Sequence, residues 1–97
     1  MEQGASHILN ALSLASLDDT LPVCDLHGFP CDALVWEVDL AIVRARASFL
    51  RIVFGYGSGA LRNAVFAYLQ ESMKKNDPLV LGFFEESRGA SCVVALR

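Results

Sequence analysis

Apolar residues in this chain occur either in short unbroken runs or at helical spacing, and the switches between the two regimes predict its elements. From about Ser6 to Leu17, the positions Ile8, Leu9, Leu12, Leu14 and Leu17 predict a short amphipathic helix that stops before Asp18-Asp19-Thr20. Leu21 to Leu26 is largely apolar and reads as a buried strand, broken by Gly28 and Pro30, with Pro30 placed for a first helical turn. From Cys31 to about Ala47, Leu34, Val35, Val38, Ile42 and Ala45 recur at helical spacing. Phe49 to Phe54 reads as a second buried strand. Ala60 to about Met73 carries Leu61, Val65, Phe66 and Leu69 on a helical stripe, which Asn76-Asp77-Pro78 closes. Leu79 to Phe84 and Cys92 to Leu96 are two further strands, joined by the polar stretch Glu85 to Ser91, which suits a hairpin.

After the leading helix the order is therefore βαβαββ. Two right-handed crossovers followed by a hairpin predict a mixed four-stranded sheet of the α/β (α+β) class, with two main helices and an N-terminal helix covering one face or both. Ninety-seven residues suit one compact core, and a hydrophobic content of 54% supplies it. No apolar run reaches membrane-span length, and Met1-Glu2-Gln3-Gly4 is acidic where a leader peptide is basic, so an intracellular chain is expected, in the cytoplasm or an organelle matrix. Three cysteines, Cys24, Cys31 and Cys92, are an odd number in a core-rich domain and read as reduced thiols.

Charge is segregated. Through Ile42 there are seven acidic residues and no Lys or Arg, whereas all eight basic residues follow Val43 against four acids. A net charge of −3 argues against general polyanion binding, while the second half is able to present a local basic face. The alternative is an ordinary solvated surface.

Two motifs carry candidate chemistry. Asp25-Leu26-His27-Gly28 ends the first strand, and Asp25 and His27, two apart, point to the same side. Histidine suits proton transfer near neutral pH, and a carboxylate beside it orients the ring. Asp25 is also able simply to bond local backbone N–H groups, with His27 a structural residue. Gly55-Tyr56-Gly57-Ser58-Gly59 ends the second strand and precedes a helix. Its glycines permit positive φ and close approach, the helix N-terminus favours an anion, Ser58 is placed to cap or donate, and Arg62 offers a charged fork. A tight ligand-free turn is the plainer alternative. Parallel pairing of the two strands brings both motifs to one sheet edge. Tyr56 at the loop tip is placed either to stack on a base or to pack on the sheet edge, and Trp36 reads as a core or interface residue.

Two further patterns are rejected. Gly55, Gly57 and Ala60 formally satisfy the dinucleotide fingerprint, but no βαβαβ half follows them. Cys24-x2-His27-x3-Cys31, with Cys92 as a fourth ligand, matches no common zinc module, and Cys24 is expected to face away from Asp25.

The run Asp25-Leu26-His27-Gly28, the segment Arg51 to Arg62 containing the glycine loop, and the ending Ala90-Ser91-Cys92-Val93-Val94-Ala95-Leu96 together resemble the Smr (small MutS-related) domain. The likeness covers Val23 to Leu96. It divides the chain into an N-terminal helix or extension over residues 1–20 and an Smr-like domain over residues 21–97. The resemblance implies a two-layer sandwich similar to the C-terminal domain of translation initiation factor three, with nucleic-acid binding and, in many members, RNA or DNA endonuclease activity. It implies catalytic positions at Asp25 and His27 and substrate contacts at Gly55, Tyr56, Gly57, Ser58, Gly59 and Arg62. Many members carry His or Thr before the first loop glycine and a basic residue after it, where this chain has Phe54 and Tyr56. Binding is thus the first expectation and cleavage the further one.

The expected partner is nucleic acid, RNA favoured over DNA, with a ribosome or larger protein assembly as a further association. No cofactor is expected. No carboxylate set suited to two-metal catalysis is evident, although Asp25 alone is able to help hold a divalent ion. The rival expectations are a non-catalytic RNA- or ribosome-binding module and a structural protein-interaction domain that docks through its N-terminal helix.

Overall fold

The computed structural model describes residues 2–57, 59–86 and 89–97. Helix α1 spans Glu2–Ala15, strand β1 Val23–Asp25, helix α2 Leu34–Arg44, strand β2 Phe49–Val53, helix α3 Ala60–Met73, strand β3 Val80–Glu85 and strand β4 Ser91–Leu96. A single 3₁₀ turn, Cys31–Ala33, leads into α2, and Pro30 stands as its N-cap in an extended conformation. The predicted elements are all present, with ends shifted by a few residues. The first two helices show the largest shifts: α1 begins before Ser6 and ends at Ala15, leaving Leu14 and Leu17 exposed, and α2 ends at Arg44, with Ala45 still helical as its C-cap and Arg46 at φ 46°.

The four strands form one sheet in the order β1-β2-β4-β3. β1 runs parallel to β2, with Val23, Cys24 and Asp25 opposite Arg51, Ile52 and Val53. β4 runs antiparallel to both β2 and β3. β1, β2 and β3 therefore point the same way, and their carboxyl ends share one edge of the sheet. β4 is central, and its residues from Cys92 to Leu96 are all buried, which is why an unbroken apolar run was needed there.

Alternate residues of the strands feed two cores. Cys24, Leu50, Ile52, Cys92, Val94 and Leu96 face α2 and α3, where they meet Leu34, Val38, Val65 and Leu69. Burying each such aliphatic side chain contributes about 1.5–3 kcal/mol, which makes this the main stabilising layer. Val93 and Ala95 face the other way and meet Leu12 and Ala15 of α1. The βαβαββ unit is thus the expected two-layer sandwich, and α1 covers part of the sheet's second face. Gly82 allows that approach: a Cβ there would lie 3.1 Å from Ile8 Cγ2 and 3.6 Å from Leu12 Cδ1. Trp36, placed by its sequence context in a core or an interface, is outside both cores and largely exposed. No helix among the described residues is long and apolar enough to cross a membrane.

A polar cluster pins the end of α1. Arg51 on β2 donates from Nε to Glu86 Oε1 at 2.9 Å and from its terminal nitrogens to the carbonyls of Ser16 (2.9 Å) and Asp18 (3.1 Å). Ser16 and Ser91 hydroxyls donate to the same carboxylate at 2.6 and 2.7 Å. Burial by itself would raise the Glu86 pKa, but the donors from Arg51, Ser16 and Ser91 outweigh it and hold the group below the ordinary glutamate value.

Candidate functional site

Parallel pairing of β1 with β2 brings the two motifs together. Leu26 N–H donates to the Val53 carbonyl at 2.7 Å, extending the ladder past the end of β1, so His27 arrives beside Gly55. A Cβ on Gly55 would sit 3.3 Å from His27 Cβ, and Gly55 has φ +76°. Glycine is required there for conformation and for space alike. The loop is tied to the β3–β4 connection as well, because the N–H groups of Phe54 and Gly55 both donate to the Ala90 carbonyl at 2.9 Å.

Asp25 holds His27 twice. Its Oδ1 accepts from the His27 backbone N–H at 3.1 Å and lies 2.6 Å from His27 Nδ1. A carboxylate only accepts, so Nδ1 carries the hydrogen and Nε2 is the nitrogen left for other partners. The same two bonds lower the Asp25 pKa below its ordinary value, the side-chain bond from His27 contributing most. The imidazole is 72% exposed, so its orientation comes from Asp25 rather than from packing.

The loop and the first turn of α3 form one wall of a cleft of about 280 Å³, lined by Phe29, Cys31, Phe54, Gly55, Tyr56, Gly57, Gly59, Ala60, Leu61 and Arg62. Gly57 and Gly59 both have positive φ, and Gly59 is the N-cap of α3. No acidic side chain occupies the first turn of α3, so its positive dipole end is not offset by an acid of its own. Tyr56 is exposed at the tip. Ser58 lies outside the described residues. Arg62 reaches the cleft, but its guanidinium forms a bidentate pair with Glu85, at 2.6 and 2.7 Å, and lies 4.6 Å over the Phe66 ring.

Phe54 is 3% exposed and meets Phe66 edge to face at 5.7 Å. It points into the α2–α3 core beneath the loop, away from the side on which Asp25 and His27 stand. Cys24 is buried on that same core side, where burial raises its pKa, and it does not approach His27 as a ligand partner. Among the described residues no group of three or more His, Cys, Asp and Glu side chains is arranged to hold a metal.

Among the described residues, the segregation of charge along the chain does not produce a basic face at the loop. Both arginines described at this edge are paired, Arg51 with Glu86 and Arg62 with Glu85. Arg44, at the end of α2, and Arg46 and Lys75 make no ion pair among the described residues. These three lie toward the opposite edge of the sheet, where Arg46 lines a cavity of about 590 Å³ with Ile42, Val43, Leu79 and Leu96.

Two site residues escaped the sequence reading. Phe29, 39% exposed, faces the cleft with Tyr56, and its position directly after the Asp25–Gly28 motif was the available signal. Glu85 gave no local signal, because its role depends on a partner 23 residues away.

This α+β architecture and paired-motif edge define a known class. The family model of the Smr domain matches residues 24–96. The crystal structure of the Smr domain of Thermus thermophilus MutS2 superposes with a TM-score of 0.68 at 34% identity, covering 79% of this chain and 99% of that one. No curated protein matches the chain. The chain belongs to the Smr domain family, whose members are nucleic-acid-binding and endonuclease-type domains.

Proposed function

We propose that this domain binds single-stranded nucleic acid, RNA in preference to DNA, along the edge formed by the glycine loop and His27, and cleaves its phosphodiester backbone there. The observation that carries the reading is the contact of His27 with Gly55: an imidazole oriented by a carboxylate stands against a loop of positive-φ glycines that opens a helix. Loop amides and the α3 dipole favour a phosphate at the loop, and His27, which abuts Gly55 through its Cβ although it does not line the cleft itself, is the residue we assign to take or give a proton through Nε2. Tyr56 and Phe29 offer exposed aromatic faces beside it, which an unpaired base is able to stack on and a paired base is not.

In RNA the adjacent 2′-hydroxyl is the natural nucleophile. Nε2 accepts its proton, the 2′ oxygen bonds to phosphorus, and the 5′ oxygen leaves and takes a proton from solvent. This leaves a 2′,3′-cyclic phosphate and a 5′-hydroxyl. Asp25 keeps the hydrogen on Nδ1 and stabilises the imidazolium that forms. The test is cleavage of a single-stranded RNA by wild type and His27→Ala, with the fold checked by circular dichroism. Loss of about 10²–10⁴-fold is expected for a residue in general acid–base catalysis. Undiminished cleavage by the variant removes His27 from the mechanism.

One observation favours a second reading, binding without cleavage. Arg62, which lines the cleft, is paired with Glu85, so its charge is offset by a carboxylate until that pair opens, and less of it is available to charge developing on a phosphorane. RNA binding by wild type that persists in His27→Ala, with no cleavage by either, supports that reading.

A further inference from the structure

The geometry points to Glu85 as the residue that sets the affinity of this edge for nucleic-acid phosphate, by holding the Arg62 guanidinium until a phosphate takes its place. The inference rests on the phosphate-binding reading of the glycine loop. Arg62 lines the loop's own cleft, and its Nε and one terminal nitrogen donate to the two Glu85 oxygens. This is the fork geometry with which a guanidinium also grips a phosphate. The other terminal nitrogen donates to Asn63 Oδ1 at 3.0 Å, and the guanidinium lies over Phe66. Asn63 and Phe66 belong to α3 like Arg62 itself, so they keep the guanidinium in place whether or not the β3 carboxylate stays.

Exchange is physically open at this pair. The two side chains are 36% and 34% exposed, so water and a ligand both reach them, and a released Glu85 carboxylate is able to turn into solvent. The neighbouring pair differs. Arg51 and Glu86 are each only 14% exposed, and Arg51 is fixed further by two main-chain carbonyls. Adjacent glutamates on opposite faces of β3's end thus do different work, Glu86 anchoring α1 and Glu85 occupying a ligand-facing arginine. A phosphate binding at Arg62 exchanges one ion pair for another, which lowers both the net affinity and the number of ions released.

The experiment is a salt series of fluorescence-anisotropy titrations with a single-stranded oligoribonucleotide, using wild type, Glu85→Gln, Arg62→Gln and the double variant. Glu85→Gln should bind about two- to fivefold more tightly at low salt, the span of a surface ion pair. Its salt slope should steepen by about 0.7, the value of one single-strand phosphate contact. The gain should disappear in the Arg62→Gln background. No gain, or a gain that survives without Arg62, overturns the inference. Should Glu85→Gln not fold, the Nε–H resonance of Arg62 in the wild type decides: it should move on saturation with the oligonucleotide, and an unmoved signal overturns the inference. A Gly57→Val variant, titrated alongside, separates the two claims. If that variant loses binding while Glu85→Gln shows no Arg62-dependent gain, the exchange fails and the loop reading stands. Equal, salt-insensitive binding by wild type and Gly57→Val removes the loop reading and this inference with it.

Discussion

Gly55→Ala tests whether contact between the two motifs, and not merely loop flexibility, builds the site. Gly55 has φ +76°, and Gly89 in the β3–β4 connection has φ +73°, so the backbone strain of an added Cβ is closely matched at the two positions. That strain is about 1–2 kcal/mol for an L-residue in the left-handed region. It is offset by about 0.4–1 kcal/mol because alanine restricts the unfolded chain. The positions differ in space. At Gly89 nothing lies within 4 Å of the added carbon, whereas at Gly55 it meets His27 Cβ at 3.3 Å. Carbon pairs prefer about 3.5–4.0 Å, so His27 must yield by a few tenths of an ångström. Its freedom to yield is limited, because Leu26 N–H is bonded to Val53 and Gly55 N–H to Ala90. Gly89→Ala should therefore cost about 0.5–1 kcal/mol in denaturant unfolding, and Gly55→Ala about 1–2 kcal/mol. Only Gly55→Ala should shift the His27 imidazole resonances and impair cleavage or binding. Equal losses of stability, with the His27 signals unmoved in both variants, would refute the contact as the organising feature.

Three further outcomes follow from the same geometry. Phe54→His should cost about 2–4 kcal/mol because it buries an unpartnered imidazole and loses the Phe66 contact; increased cleavage without loss of stability would show that the side chain faces the site. Glu86 is held below its ordinary pKa, so its contribution is complete above about pH 4.3, the unfolded value, and is lost as pH falls through the depressed folded value. A pH series of unfolding free energies should show that acid-side decline, and Glu86→Gln should flatten it; an unchanged profile would deny the cluster its role. Thiol labelling at neutral pH should reach Cys31 first, because Cys24 and Cys92 are buried and the Cys92 thiol is pushed up to about 12 by burial, then by Glu86 and Glu85. Bound oligonucleotide should slow labelling at Cys31, which lines the cleft, and three equal rates in the free protein would contradict the packing.

Sequence by itself determined the order and type of the elements, the positions that needed glycine, and the pairing of Asp25 with His27. These are local matters: strand and helix periodicity, a left-handed backbone angle and an i to i+2 hydrogen bond are all set within a few residues. The family likeness was legible for the same reason, since its motifs are short. Tertiary structure alone decided the strand order, which placed β4 between β2 and β3, and the face on which α1 lies. It turned Phe54 inward beneath the loop and gave Arg62 to Glu85 and Arg51 to Glu86. Such partners are separated by tens of residues and meet only when sheet register and helix placement bring them together, so no local pattern encodes them. The loop's positive-φ glycines ahead of a helix were therefore readable from the chain, but the charge actually presented beside them was not, because charge at a surface depends on which opposite charge folding places next to it.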